Sequence, residues 1–127
     1  MVEAIDHVEV VTRNMEKSIR FYVDVLKFSV KSRLKFDGSQ GMTEISFLKL
    51  GDSMLELLEF PNARENPEGS PQVGVRMFAL RVADMDKEIL SLKDLGIQVY
   101  RPPIQIGTSK RAEIKDPNGI SIELRQW

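Results

Sequence analysis

The amino-acid sequence repeats itself once, loosely but along its length. His7-Val8-Glu9-Val10 falls on Met77-Phe78-Ala79-Leu80 and Asn14-Met15-Glu16 on Asp84-Met85-Asp86, both at an offset of 70. Leu55-Glu56-Leu57 falls on Ile122-Glu123-Leu124 at an offset of 67. Drift of three residues over half a chain is what loops of unequal length produce. A unit repeated at this spacing must fold as one supersecondary motif used twice.

The first copy reads as strand, helix and three strands. Ile5 to Val11 alternates, with Ile5, His7, Glu9 and Val11 on one side and Asp6, Val8 and Val10 on the other. A helix is expected over 14–26, capped by Asn14, with Met15, Ile19, Tyr22 and Leu26 at helical spacing. Strands follow at 28–36, Thr43 to Leu50 and Met54 to Phe60, separated by turn-rich segments. Residues 61–73, with Pro61, Pro67 and Pro71, read as a linker. The second copy gives a strand from Val75 to Val82 and a helix over 84–95, capped by Asp84 and stopped at Gly96. Strands at Ile97 to Tyr100, Lys110 to Lys115 and Ile120 to Leu124 complete it, with Arg101-Pro102-Pro103 expected to break the first of these. The turn Asp116-Pro117-Asn118-Gly119 leads into the last strand. Module one thus spans 1–60 and module two 74–127, in a single α+β domain, since neither half alone promises a comfortable core.

Composition narrows the function classes. The 127 residues carry a net charge of −1, with no basic cluster to attract nucleic acid. No apolar run reaches the ~20 residues of a membrane helix, and the first residues lack the pattern of a secretory signal. A cytoplasmic protein is expected. The absence of Cys excludes thiolate metal sites and thiol nucleophiles.

The order of motifs resembles the vicinal oxygen chelate superfamily, the glyoxalase/bleomycin-resistance/extradiol-dioxygenase fold. The resemblance rests on Asp6-His7-Val8, Ser18-Ile19-Arg20-Phe21-Tyr22, Leu55-Glu56-Leu57, Ala79 to Asp86, and Asp116-Pro117-Asn118-Gly119 before Ile122-Glu123-Leu124. It implies two βαβββ modules forming an incomplete barrel around a divalent metal. Carried over residue by residue, the family's ligand positions are His7, Glu56, Met77 and Glu123. Three hold nitrogen or oxygen donors suited to Ni, Zn, Mn or Mg, while Met77 offers only a soft thioether in place of the usual fourth ligand. Where the glutathione-dependent members have an Arg four residues after the first ligand, this chain has Val11; Arg81 stands at the repeat-equivalent place. Lys27 replaces a Gly after the first helix.

Two functions follow from the resemblance. One is a metal-assisted lyase or isomerase, similar to lactoylglutathione lyase, acting on a small carbonyl substrate through an enediolate. His7, Glu56 and Glu123 would hold the metal, and Glu56 or Glu123 would move the proton. The other is a metal-free protein that binds and sequesters a small molecule, as bleomycin-resistance members do; Met77 suits that pocket. An extradiol dioxygenase is disfavoured, because only one His is present. A homodimer is implied by either. Blander readings compete at each residue. His7 could be an ordinary hydrogen-bonded strand histidine, Glu123 an ion-pair partner of Arg125, and Met77 a wall residue. Arg76, Lys110 and Arg111 read as solvated charges.

Overall fold

The computed structural model describes residues 1–67, 69 and 71–127. They form two compact units, Met1–Glu65 and Asn66–Trp127, each a four-stranded mixed sheet with one face covered by a helical segment. In the first unit, β1 (His7–Thr12), α1 (Met15–Arg20), β2 (Ser29–Lys35), β3 (Glu44–Leu50) and β4 (Ser53–Glu59) follow one another. The strand order is β1-β4-β3-β2. In the second, β5 (Phe78–Arg81), α2 (Met85–Asp94), β6 (Arg101–Ile106), β7 (Ser109–Lys115) and β8 (Ser121–Gln126) repeat the scheme in the order β5-β8-β7-β6. Neither sheet closes on itself. Among the described residues, no helix is long and apolar enough to cross a membrane.

Strand register reproduces both offsets of the repeat. Glu9 lies opposite Glu56 across β1 and β4, and Ala79 lies opposite Glu123 across β5 and β8. The helix-side face of each sheet is the core. Val10, Leu48, Leu55 and Leu57 are buried with Met15, Tyr22 and Phe28 in the first unit, and Ala112, Ile114, Ile122 and Leu124 with Met85, Ile89 and Leu92 in the second. Each helix starts the same way. The Asn14 side chain accepts from the Lys17 amide at 3.0 Å and Asp84 from the Lys87 amide at 3.2 Å. The next amide inward is taken by the end of the last strand: Met15 N–H donates to Glu59 Oε2, and Met85 N–H to Gln126 Oε1, each at 2.6 Å. Four amides orphaned by helix geometry thereby find acceptors.

The ends of the two helices differ. Helix α2 stops in a left-handed turn at Gly96 (φ +76°), with Gly96 N–H donating to Lys93 O and Ile97 N–H to Leu92 O. In the first unit the expected continuous helix over 14–26 is α-helical only to Arg20, and Phe21–Val25 widens into a π-turn. The wider turn seats Tyr22, fully buried, edge-on between Phe21 and Phe28. It then ends at Lys27, which takes the left-handed conformation (φ +66°) that Gly96 takes in the repeat.

Two strand assignments are corrected. The strand expected over 75–82 begins only at Phe78, where its pairing with Ile122 starts. The strand expected over 97–100 lies instead at Arg101–Ile106, so the two prolines do not break it. Strand β6 is at the sheet edge and slips register between Arg101 and Ile104, a place where missing amide donors cost little.

Candidate metal centre

Alternation along β1 and β4 puts His7, Glu9 and Glu56 on the open face of the first sheet, away from α1. Because Glu9 and Glu56 are directly opposite, and His7 is two residues before Glu9 on the same face, their side chains meet. The His7 Nε2 lies 3.2 Å from Glu56 Oε2 and 3.5 Å from Glu9 Oε1. One ligand atom from each of the three falls within 4.8 Å of the other two. On the other side of the ring, Nδ1 lies 2.8 Å from Asp6 Oδ2. The bond to Asp6 raises the His7 pKa above its usual value; partial desolvation works against the shift, and Glu56 and Glu9 add to it.

The charge balance of this cluster is uneven. Three carboxylates surround one imidazole, and among the described residues no Lys or Arg pairs with Asp6, Glu9 or Glu56. Even with His7 protonated, two negative charges stay uncompensated. The donor set, one imidazole nitrogen and carboxylate oxygens, fits a borderline or hard divalent ion of the Zn, Ni, Mn or Mg kind. Asp6 on Nδ1 would fix the tautomer that presents Nε2, as an outer carboxylate does for a ligating histidine. Of the residues expected from the sequence, His7 and Glu56 are therefore brought together. Asp6 and Glu9 are additions; the shared alternation side of His7 and Glu9 was the signal for the second.

The remaining two expected positions lie in the second unit. Glu123 occupies its open face, with its carboxylate 2.5 Å from Arg125 Nε and 3.1 Å from an Arg111 guanidinium nitrogen. Arg111 also donates to Glu113 at 2.7 Å and is only 17% exposed, so its expected role as a solvated charge is corrected: it is a bridging cation between two carboxylates. Met77 sits immediately before β5, its sulfur 3.5 Å from an Arg76 guanidinium nitrogen.

Comparison with known proteins agrees with this architecture. The chain is 28% identical to the uncharacterized protein YwkD of Bacillus subtilis (strain 168), covering 98% of this chain and 97% of that one. It is also 28% identical to a probable lactoylglutathione lyase of Synechocystis sp. (strain ATCC 27184 / PCC 6803 / Kazusa), over 94% and 92% of the two chains. Among solved structures, the glyoxalase family protein from Enterococcus faecalis superposes with a TM-score of 0.83 over 97% of both chains at 24% identity, a likeness of fold. Residues 4–124 match the Glyoxalase/Bleomycin resistance protein/Dioxygenase superfamily, and the chain belongs to that superfamily.

Proposed function

We propose that this protein is a divalent-metal-dependent lyase or isomerase of the glyoxalase type, acting on a small carbonyl substrate. Its ion would be held by His7 and Glu56, by Glu9 beside them, and by Glu123 as the family pattern implies. The observation that supports this reading is the uncompensated charge around His7: a carboxylate cluster built around one nitrogen donor favours a bound cation. A bound divalent ion supplies Lewis-acid stabilisation of negative charge on the substrate oxygen. Glu56, 17% exposed on the open face, is the residue that takes a proton from the carbon beside the carbonyl. With an α-hydroxycarbonyl substrate, a carboxylate then returns that proton to the former carbonyl carbon while the hydroxyl proton passes to the former carbonyl oxygen, so that the reaction is a net isomerisation. Glu123 is the family-pattern candidate for the return. Asp6 acts only through His7, by keeping Nε2 free of its proton when the ring ligates.

Calorimetric titration of the protein with Ni, Zn and Mn tests this directly. Stoichiometric binding that is lost in His7→Ala and weakened in Glu56→Gln and Glu123→Gln is the expected result. A second reading, a metal-free protein that binds a small molecule, is favoured by Met77, since a thioether suits an apolar wall better than a hard ion. Failure of the folded wild type to bind any of the three metals would select it. Both readings carry a homodimer, which sedimentation at micromolar concentration checks.

A further inference from the structure

The two sheets carry opposite chemistry at one and the same register row. In the first unit, Val11 of β1, Leu58 of β4 and Ile45 of β3 lie side by side across the open face. The equivalent row of the second unit is Arg81 of β5, Arg125 of β8 and Arg111 of β7. Three arginines in register across three strands oppose one another, because like charges directly across a ladder are destabilising. The neighbouring row, Ala79, Glu123, Glu113 and Arg101, supplies only two carboxylates against these three arginines and a fourth. Glu123 is shared by Arg125 and Arg111, and Glu113 by Arg111 and Arg101. Arg81 is exposed and has no ion-pair partner among the described residues. Arg111 Nε is buried without a hydrogen-bond partner. These two rows therefore hold a surplus of two positive charges, with guanidinium donors still unused.

We propose that the Arg81–Arg125–Arg111 row is an oxyanion-recognition site, taking the carboxylate or phosphate group of a small molecule. Planar guanidinium groups side by side match the paired oxygens of both groups, and an anion between them removes the repulsion along the row. None of the three arginines lines a cleft, but Arg101 and Glu113 of the neighbouring row line one of about 640 Å³, with Arg76, Tyr100 and Ser121 on its walls. The Trp127 ring, stacked under Arg125, and Ser109 Oγ, 3.0 Å from its other end, hold that guanidinium in place. No residue of the row belongs to the His7 cluster; Arg111 and Arg125 do hold Glu123, so anion binding is measured without added metal, where its failure is separate from a failure of the metal reading.

The test uses inorganic phosphate and malonate as probes, with ionic strength held constant by sodium chloride. Thermal unfolding and calorimetry are recorded for wild type, Arg81→Gln, and the triple variant Arg81→Val, Arg111→Ile, Arg125→Leu, which copies the row of the first unit. The wild type should bind at least one probe and gain melting temperature beyond the chloride control. Arg81→Gln, an exposed position that the fold does not need, should bind about tenfold more weakly, the size of one lost charge-assisted hydrogen bond. The triple variant, if folded, should not respond. Binding of phosphate alone points to a phosphate-bearing ligand, malonate alone to a dicarboxylate, and both to oxyanions in general; each supports the site. No binding by the wild type, or equal binding by wild type and Arg81→Gln, overturns it.

Discussion

Replacing Glu44 by Gln should remove one identifiable part of the first unit's stability, and only above acid pH. The Glu44 side chain is 2% exposed on the helix side of β3. Its carboxylate receives Arg33 Nε at 2.7 Å, a second Arg33 nitrogen at 3.1 Å, Lys35 Nζ at 2.8 Å and Ser46 Oγ at 2.9 Å. Arg33 also reaches Glu16 of α1, so the cluster ties strand to helix. Burial pushes the carboxyl pKa up, but Arg33, Lys35 and Ser46 more than reverse this and hold it at about 2 against an ordinary 4.5. That gap corresponds to a ceiling of about 3 kcal/mol. Lys35 is largely exposed, and solvent screening of its charge brings the expectation to about 2 kcal/mol. A depressed carboxyl pKa stabilises the fold above the unfolded value of 4.5 and loses that contribution as pH falls toward 2. Urea unfolding followed by circular dichroism should therefore show Glu44→Gln less stable by about 2 kcal/mol at pH 7. The deficit should shrink by more than half at pH 3, because the wild-type carboxylate is then losing its advantage. A deficit constant from pH 7 to pH 2.5 would show that Glu44 acts through packing rather than charge.

Three further outcomes are expected. Lys27→Gly should stabilise the protein by roughly 1 kcal/mol in the same unfolding assay, because Lys27 occupies the left-handed conformation that its repeat counterpart Gly96 adopts freely; loss of stability would mean that the bond from Lys27 Nζ to Asp24 O outweighs the backbone strain. Asn14→Ala and Asp84→Ala should each cost about 1 kcal/mol, as lost N-caps do, and the two costs should add. Met77→His should tighten Ni or Zn binding in calorimetric titration by restoring a nitrogen donor at the family's third ligand position, and unchanged affinity would separate Met77 from the metal site.

How much could be read beforehand depended on which interactions are local. The repeat, the helix starts and the helix-side core were legible because each leaves a periodic or capping signal, as at Asn14, Asp84, Leu55-Leu57 and Ile122-Leu124. The His7–Glu56 pairing was legible through the family resemblance. Glu9 was visible in the alternation of β1, yet only the parallel register of β1 with β4 sets it opposite Glu56. The π-turn was not legible, because Phe21 to Val25 fits helical spacing and the widening comes from seating Tyr22 against Phe28. Strand β6 was misplaced because prolines 102 and 103 read as breakers, whereas an edge strand with a bulge accommodates them. Arg111 looked like a solvated charge, since nothing local shows that β8 brings Glu123 beside it.

The comparison of the two sheets explains how one motif can support two kinds of site. Apolar core positions facing the helices keep their chemical type between repeats: Leu55 and Ile122, Leu57 and Leu124, Leu48 and Ile114, Met15 and Met85. Each is buried, and a polar residue there would lose a hydrophobic contribution of about 2 kcal/mol or more. Open-face positions carry no such requirement. His7 becomes Met77, Glu9 becomes Ala79, and the row of Val11, Leu58 and Ile45 becomes one of three arginines, while strand order and register stay the same. Because side chains alternate along β1, β3, β4, β5, β7 and β8, a substitution on one face of these strands leaves the other face in place. The first sheet thus concentrates donors for a cation and the second donors for an anion. Substitutions confined to the His7 cluster or to the arginine row should therefore change ligand binding by that unit while leaving its fold intact.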